Sequence, residues 1–165
     1  MTIFPIRTFG DPVLRAKAEP VEIFDDALHR LAKDMIETMR NAPGVGLAAP
    51  QIGIPKRICV FDAGQGAHIL INPEIVETSD EWEFDEGCLS LPGRNWPILR
   101  PSHARVVGVD VHGEPLEYEG DELLGRVLQH EVDHLNGILL IERLAKSVRK
   151  MALRDLRNEA LGLAQ

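Results

Sequence analysis

Disulfides cannot frame this chain. Its 165 residues hold only two cysteines, Cys59 inside the apolar string RICVF and Cys88 inside EGCLSLPG. That is too few for a cross-linked scaffold and fits a reducing compartment. The opening MTIFPIRTFGDPVLR lacks the basic, apolar and small-residue regions of a secretory signal, and no apolar run approaches the length that spans a bilayer. The expectation is a cytoplasmic protein with no membrane partner. Basic charge is not in excess either: 18 Lys and Arg stand against 26 Asp and Glu, for a net charge of -8. Polyanions are repelled at long range, which argues against general nucleic-acid binding. Repeats, low-complexity tracts and linker-like breaks are also missing, so one domain over residues 1–165 is expected, long enough to bury a core.

What is present reads as α+β. FDDALHRLAKDMIETMRNAPG places Leu28, Leu31, Ala32, Met35, Ile36 and Met39 at helical spacing, with Asp25 or Asp26 as cap and Pro43-Gly44 as stop. From about residue 57 to 119 the pattern turns to short β-branched runs, RICVF, HILIN and ARVVGVDV, and VDVHGEPLEYE carries the Gly-centred turn of a hairpin. Helices are predicted again over about 121–136, closed by Asn136-Gly137, and over about 142–160. A helix, a block of mostly antiparallel strands, then helices form an α+β arrangement.

The 121–136 segment contains LQHEVDHLNG. Leu123, Val127, His130 and His134 share one face, while Leu124, Leu128, Val132 and Leu135 make another, so the helix is apolar around most of its circumference and should be buried. Residues four apart lie one above the other, so His130 and His134 can reach one cation, with Glu131 close enough to act on a water beside it. Two imidazoles and a carboxylate do not enter an apolar core without partners, because unpaired polar burial costs several kcal/mol each. Metal binding is the better reading than a solvated turn of helix.

A catalytic site of this kind uses three protein ligands and keeps one position open. Cys88, Glu86, Asp85 or another histidine are candidates for the third, and no histidine follows His134. Glu142 and Glu159 fit the exposed face of a charged last helix better. Cys88, between charged DEWEFDE and turn-forming LPG, is preferred. Cys59, flanked by Ile58 and Val60, reads as a small buried hydrophobe. PGVGLAAPQIG matches the G-x-G-x-x-A dinucleotide pattern but fails on context, since a helix precedes it and Pro50, Gly53 and Pro55 follow. A Gly-rich loop can instead run close to an extended ligand and offer main-chain hydrogen bonds, with Gln51 as an amide donor to a developing oxyanion.

GVGLAAPQIG, EGCLSLPG and QHEVDHLNG, in this order and near these spacings, resemble the three signature motifs of bacterial peptide deformylases. The resemblance implies one divalent metal held by Cys88, His130 and His134, most often Fe(II), with Zn, Ni or Co able to substitute. It implies removal of the N-formyl group from N-formylmethionyl nascent peptides, with release of formate. Glu131 would be the general base and acid, and the Gln51 side chain and Leu89 backbone N–H the oxyanion hole. Substrate backbone would pair with Gly46, Val45 and Gly87. A methionine pocket would be lined by Val45, Phe84, Leu123, Val127 and the ring of His130.

Two departures from the pattern stand out. Arg126, one helical turn before His130, occupies a position where relatives often have an aliphatic side chain, so one rim of the pocket is expected to be polar or covered by an arginine stem. Past SLPG, many relatives carry a substrate-contacting arginine, where this chain has Arg94 and Asn95. Arg100 is a candidate partner for Asp133 behind the helix. The final segment is a basic helix on an acidic protein, with Arg143, Lys146, Arg149, Lys150, Arg154 and Arg157. It is a solvated face or, as in some relatives, a ribosome-docking element. The alternatives are a zinc metallopeptidase of the H-E-x-x-H type, a cysteine hydrolase and a module with a structural metal.

Overall fold

A computed structural model describes residues 1–163. Helix α1 (Asp26–Asn41) starts where Asp25, extended at φ -112°, accepts a hydrogen bond from the Leu28 N–H at 3.0 Å. It ends before Pro43 and buries Leu28, Ala32, Met35 and Met39, the stripe that the sequence spacing predicts. Two sheets follow. The larger has five antiparallel strands in the order β1 (Gly46–Ala48), β2 (Ile58–Phe61), β3 (His68–Ser79), β6 (His103–Val109) and β7 (Pro115–Asp121). The smaller is the hairpin of β4 (Trp82–Cys88) and β5 (Leu91–Arg100), which shares no hydrogen-bonded ladder with the larger sheet.

Strand β2 is buried on both faces, and its alternation divides the core. Ile58 and Val60 join the α1 side with Met35, Met39, Leu47 and Ile71. Cys59 and Phe61 join the opposite side with Leu70, Val106, Val127, Leu128, Val132 and Leu135. Helix α2 (Glu122–Leu135) supplies the last four and covers that second face. A fully buried side chain of this size contributes about 1.5–3 kcal/mol. The expected buried helix surrounded by mostly antiparallel sheets is what folds.

Helix α2 follows β7 without a loop: Asp121 ends the strand and Glu122, at φ 49°, turns the chain into the helix. Gly125 lets the helix lie directly on the loop before β6, since a Cβ there would sit 2.5 Å from the Ser102 carbonyl oxygen. At its far end Gly137, at φ 74°, closes the helix as the Asn-Gly signal predicts.

The last helix departs from its expected bounds. A 3-10 turn occupies Leu140–Arg143, the chain is extended at Leu144 and Ala145, and α3 runs over Lys146–Ala160. Ahead of it Leu139, Leu140 and Ile141 are all buried. With Leu14, Leu91, Ile98, Leu144 and Ala152 they form a third core that ties α3 to the β4–β5 hairpin. The Gly-rich loop is also more regular than expected, since Gly46–Ala48 is an edge strand and Ala49–Ile52 a 3-10 turn.

Candidate metal centre

Helix α2 brings His130 and His134 one turn apart, with their Nε2 atoms 3.2 Å from each other. The turn at the end of β4 brings Cys88 to them, its Sγ 3.2 Å from His134 Nε2. One ligand atom from each of the three residues lies within 4.8 Å of the other two. His130 Nδ1 lies 2.6 Å from Glu86 Oε1, so it donates to that carboxylate and its Nε2 keeps the lone pair. Burial resists charge on the Cys88 thiol, but His134 and His130 outweigh it and hold the thiol well below its ordinary value. A thiolate and two imidazole nitrogens converging on one point fit a divalent cation of the borderline-soft kind.

Glu131 sits beside this cluster at 3% exposure. Burial pushes its carboxyl up to about 7, against the pull of His130 and His134. Its Oε1 packs on the edge strand so closely that a Cβ on Gly46 would meet it at 2.2 Å. Its Oε2 is buried and finds no hydrogen-bond partner among the described residues. Gln51 is held by one end: Oε1 accepts from the Ala48 N–H at 2.9 Å, which turns Nε2 toward Ser90 Oγ at 3.3 Å and Cys88 Sγ at 3.7 Å.

A cavity of about 660 Å³ opens onto these groups. Of the residues singled out in the sequence, Val45, Gly46, Gln51, Phe84, Gly87, Cys88, Leu89, Leu123, Arg126, Val127, His130 and Glu131 line it. His134 lies behind His130, at 1% exposure and outside the lining. Arg94 and Asn95 line the same cavity. The Arg94 guanidinium is engaged by Glu159 of α3, and Asn95 faces Gly87 across the hairpin.

Glu86, weighed in the sequence as a metal ligand, stands behind His130 instead. Arg100 donates to both its oxygens at 2.9 Å and Arg126 to Oε2 at 2.7 Å. Burial alone would raise its carboxyl, but hydrogen bonds from His130 and Arg100 hold it far below the usual carboxylate range. Arg100 also reaches Asp133 at 2.8 Å, the pairing anticipated from the sequence. Arg143 shares Asp133, at 2.9 Å through Nε. Cys59 is 1% exposed in the core, as expected.

A family model described as polypeptide deformylase matches residues 3–150. The chain belongs to the peptide deformylase family. The family's enzymes are metal-dependent hydrolases that remove the N-formyl group from nascent peptides, and the zinc metallopeptidase alternative is not favoured. A peptide deformylase of Acidothermus cellulolyticus is 51% identical over 157 residues, covering 95% of this chain and 87% of that one. The crystal structure of peptide deformylase from Thermus thermophilus superimposes with a TM-score of 0.91 at 45% identity, covering 98% of this chain and 97% of that one. A second deformylase structure, from Legionella pneumophila, gives 0.89 at 42% identity, with 99% of each chain covered. The α+β architecture is therefore that of the deformylase structures it matches.

Proposed function

We propose that Cys88, His130 and His134 hold one divalent ion, natively Fe(II) with Zn, Ni or Co able to replace it, and that Glu131 performs the proton transfers of deformylation. The convergence of three ligand atoms beside a buried carboxyl of raised pKa carries this reading. An ion bound there would supply Lewis acidity, which makes water a competent nucleophile at neutral pH. Glu131 takes a proton from the water that adds to the formyl carbon and delivers it to the amine nitrogen as the C–N bond breaks, leaving formate and a free N-terminus. Its pKa near 7 suits both halves of that transfer. The Gln51 Nε2 and the Leu89 N–H receive the negative charge that grows on the formyl oxygen.

Strand β1 is the terminal strand of its sheet, so its outer edge can pair with an extended peptide through Val45 and Gly46, while Gly87 offers backbone from the hairpin. Phe84, Leu123, Val127 and the stem of Arg126 make the methionine pocket, and Val45, Phe84 and Leu123 are 49%, 41% and 39% exposed, open to a ligand. The chain acts as one catalytic domain in the cytoplasm. Helix α3 presents Lys146, Arg149, Lys150 and Arg157 to solvent, a basic surface suited to the ribosome.

The test is formate release from formyl-Met-Ala-Ser by protein loaded anaerobically with Fe(II), beside acetyl-Met-Ala-Ser and the Glu131→Gln variant. Formate from the formylated peptide alone, and only with Glu131 intact, is expected. Equal turnover by Glu131→Gln would overturn the assignment. Neutralising Lys146, Arg149 and Lys150 together should reduce co-sedimentation with ribosomes, and unchanged co-sedimentation would remove the docking surface.

A further inference from the structure

The β4–β5 hairpin carries Cys88 but pairs with no strand of the larger sheet, so side chains help to set its distance from α2. Arg126 reaches across this gap. It is 2% exposed on α2, one turn before His130. Its Nη1 donates to Glu86 Oε2 on β4 at 2.7 Å and to the Ile98 carbonyl on β5 at 3.0 Å. Its Nη2 donates to the Trp82 carbonyl at the start of β4. The guanidinium also lies over the rings of Trp82 and Phe84, 5.1 and 5.7 Å from their centroids. One side chain thus grips both strands of the hairpin and the carboxylate that orients His130. A lysine could not repeat this, because its point charge lacks the planar fork that serves several acceptors at once.

We propose that Arg126 is a positioning residue for the metal centre: it holds the Cys88-bearing hairpin at the right distance from His130 and His134, and secures the His130 ring through Glu86. The sequence offered a pocket rim that is polar or covered by an arginine stem; the guanidinium turns away from solvent into the joint between helix and hairpin, which fits the second. Arg100 forms the second tie, but through Glu86 and Asp133 only, with no bond to the Trp82 or Ile98 carbonyls. Loss of Arg126 therefore leaves Arg100, through Asp133, as the remaining charged tie between the base of the hairpin and α2. The proposal rests on the metal-centre reading above.

The experiment measures Co(II) affinity by chelator competition, together with the absorption spectrum of the Co(II)-loaded protein, for the parent, Arg126→Met, Arg126→Lys and Cys88→Ala. Methionine keeps the apolar stem that lines the cavity and removes every hydrogen bond. Weakening of roughly 10- to 100-fold in Arg126→Met, with shifted thiolate-to-cobalt and ligand-field bands and a smaller loss in Arg126→Lys, is expected. Parent-like affinity and spectrum in Arg126→Met, with only a lower melting temperature, would show a purely structural residue and overturn the proposal. If Arg126→Met does not fold, Arg126→Lys alone decides: a parent-like spectrum and affinity overturn it. Cys88→Ala separates the two readings, since undiminished Co(II) affinity there removes the metal centre itself, whereas weakened binding there beside parent-like Arg126→Met rejects only the role of Arg126.

Discussion

His130 Nδ1 and Glu86 Oε1 lie 2.6 Å apart in the buried space between α2 and the hairpin. The contact fixes which imidazole nitrogen carries the proton and leaves the other facing Cys88 and His134. Glu86 also neutralises two buried guanidiniums, Arg100 and Arg126, so its charge serves the fold and the site at once.

Glu86→Gln should therefore cost stability as well as metal affinity. Leaving two buried cations opposite a neutral amide is expected to lower unfolding free energy by about 3–5 kcal/mol, the usual range for breaking a buried pair. Urea denaturation of the metal-free protein measures this directly. A loss under about 1 kcal/mol would mean that the two arginines find other partners.

Gly46→Ala tests the packing of Glu131. A Cβ there would meet Oε1 at 2.2 Å and the carboxyl carbon at 2.8 Å, so Glu131 must move. Displacement of a proton-transferring group by about 1 Å lowers turnover roughly 100-fold. The expected result is a fall of that order in kcat for formyl-Met-Ala-Ser with the melting temperature little changed. Retained kcat would show that the carboxylate is not confined by β1.

Glu131 also gives the metal-free protein a pH-dependent stability. Its folded carboxyl titrates at about 7 against an ordinary 4.5, so between those values the folded state holds a proton that the unfolded chain releases. Stability from this group is complete below about pH 4.5 and is lost as pH rises through about 7. Glu131→Gln removes the effect: the stability gained by the variant over the parent should be near zero at about pH 4 and grow to as much as about 3 kcal/mol at about pH 8. Melting curves of both proteins across that range provide the check, and a gain independent of pH would contradict the burial of this carboxyl.

Features carried by local pattern were legible in the sequence. Helix α1 shows its buried stripe and its Asp25 cap, and α2 shows both histidines and the glutamate within five residues. The β4–β5 hairpin was less visible as such, because Pro92, Gly93 and Pro97 interrupt β5 and charged residues alternate along β4. Glu86 entered only as one of several candidate ligands, and its contact with His130 was not legible, since the two are 44 positions apart and no spacing rule joins them. The reach of Arg126 to Trp82 and Ile98 depends on a tertiary joint, and its sequence neighbours on α2 say nothing of it. Residue chemistry already preferred Cys88 among several candidates, and the family resemblance implied the same residue.

The account depends most on one thiolate and two imidazoles meeting on a single ion. X-ray absorption at the zinc edge of the Zn-loaded protein reads that set of ligands without recourse to activity. One sulfur at about 2.3 Å and two nitrogens at about 2.0–2.1 Å are predicted, with the sulfur lost in Cys88→Ala. A spectrum without sulfur, or one unchanged by that substitution, would contradict the assignment of Cys88 to the centre.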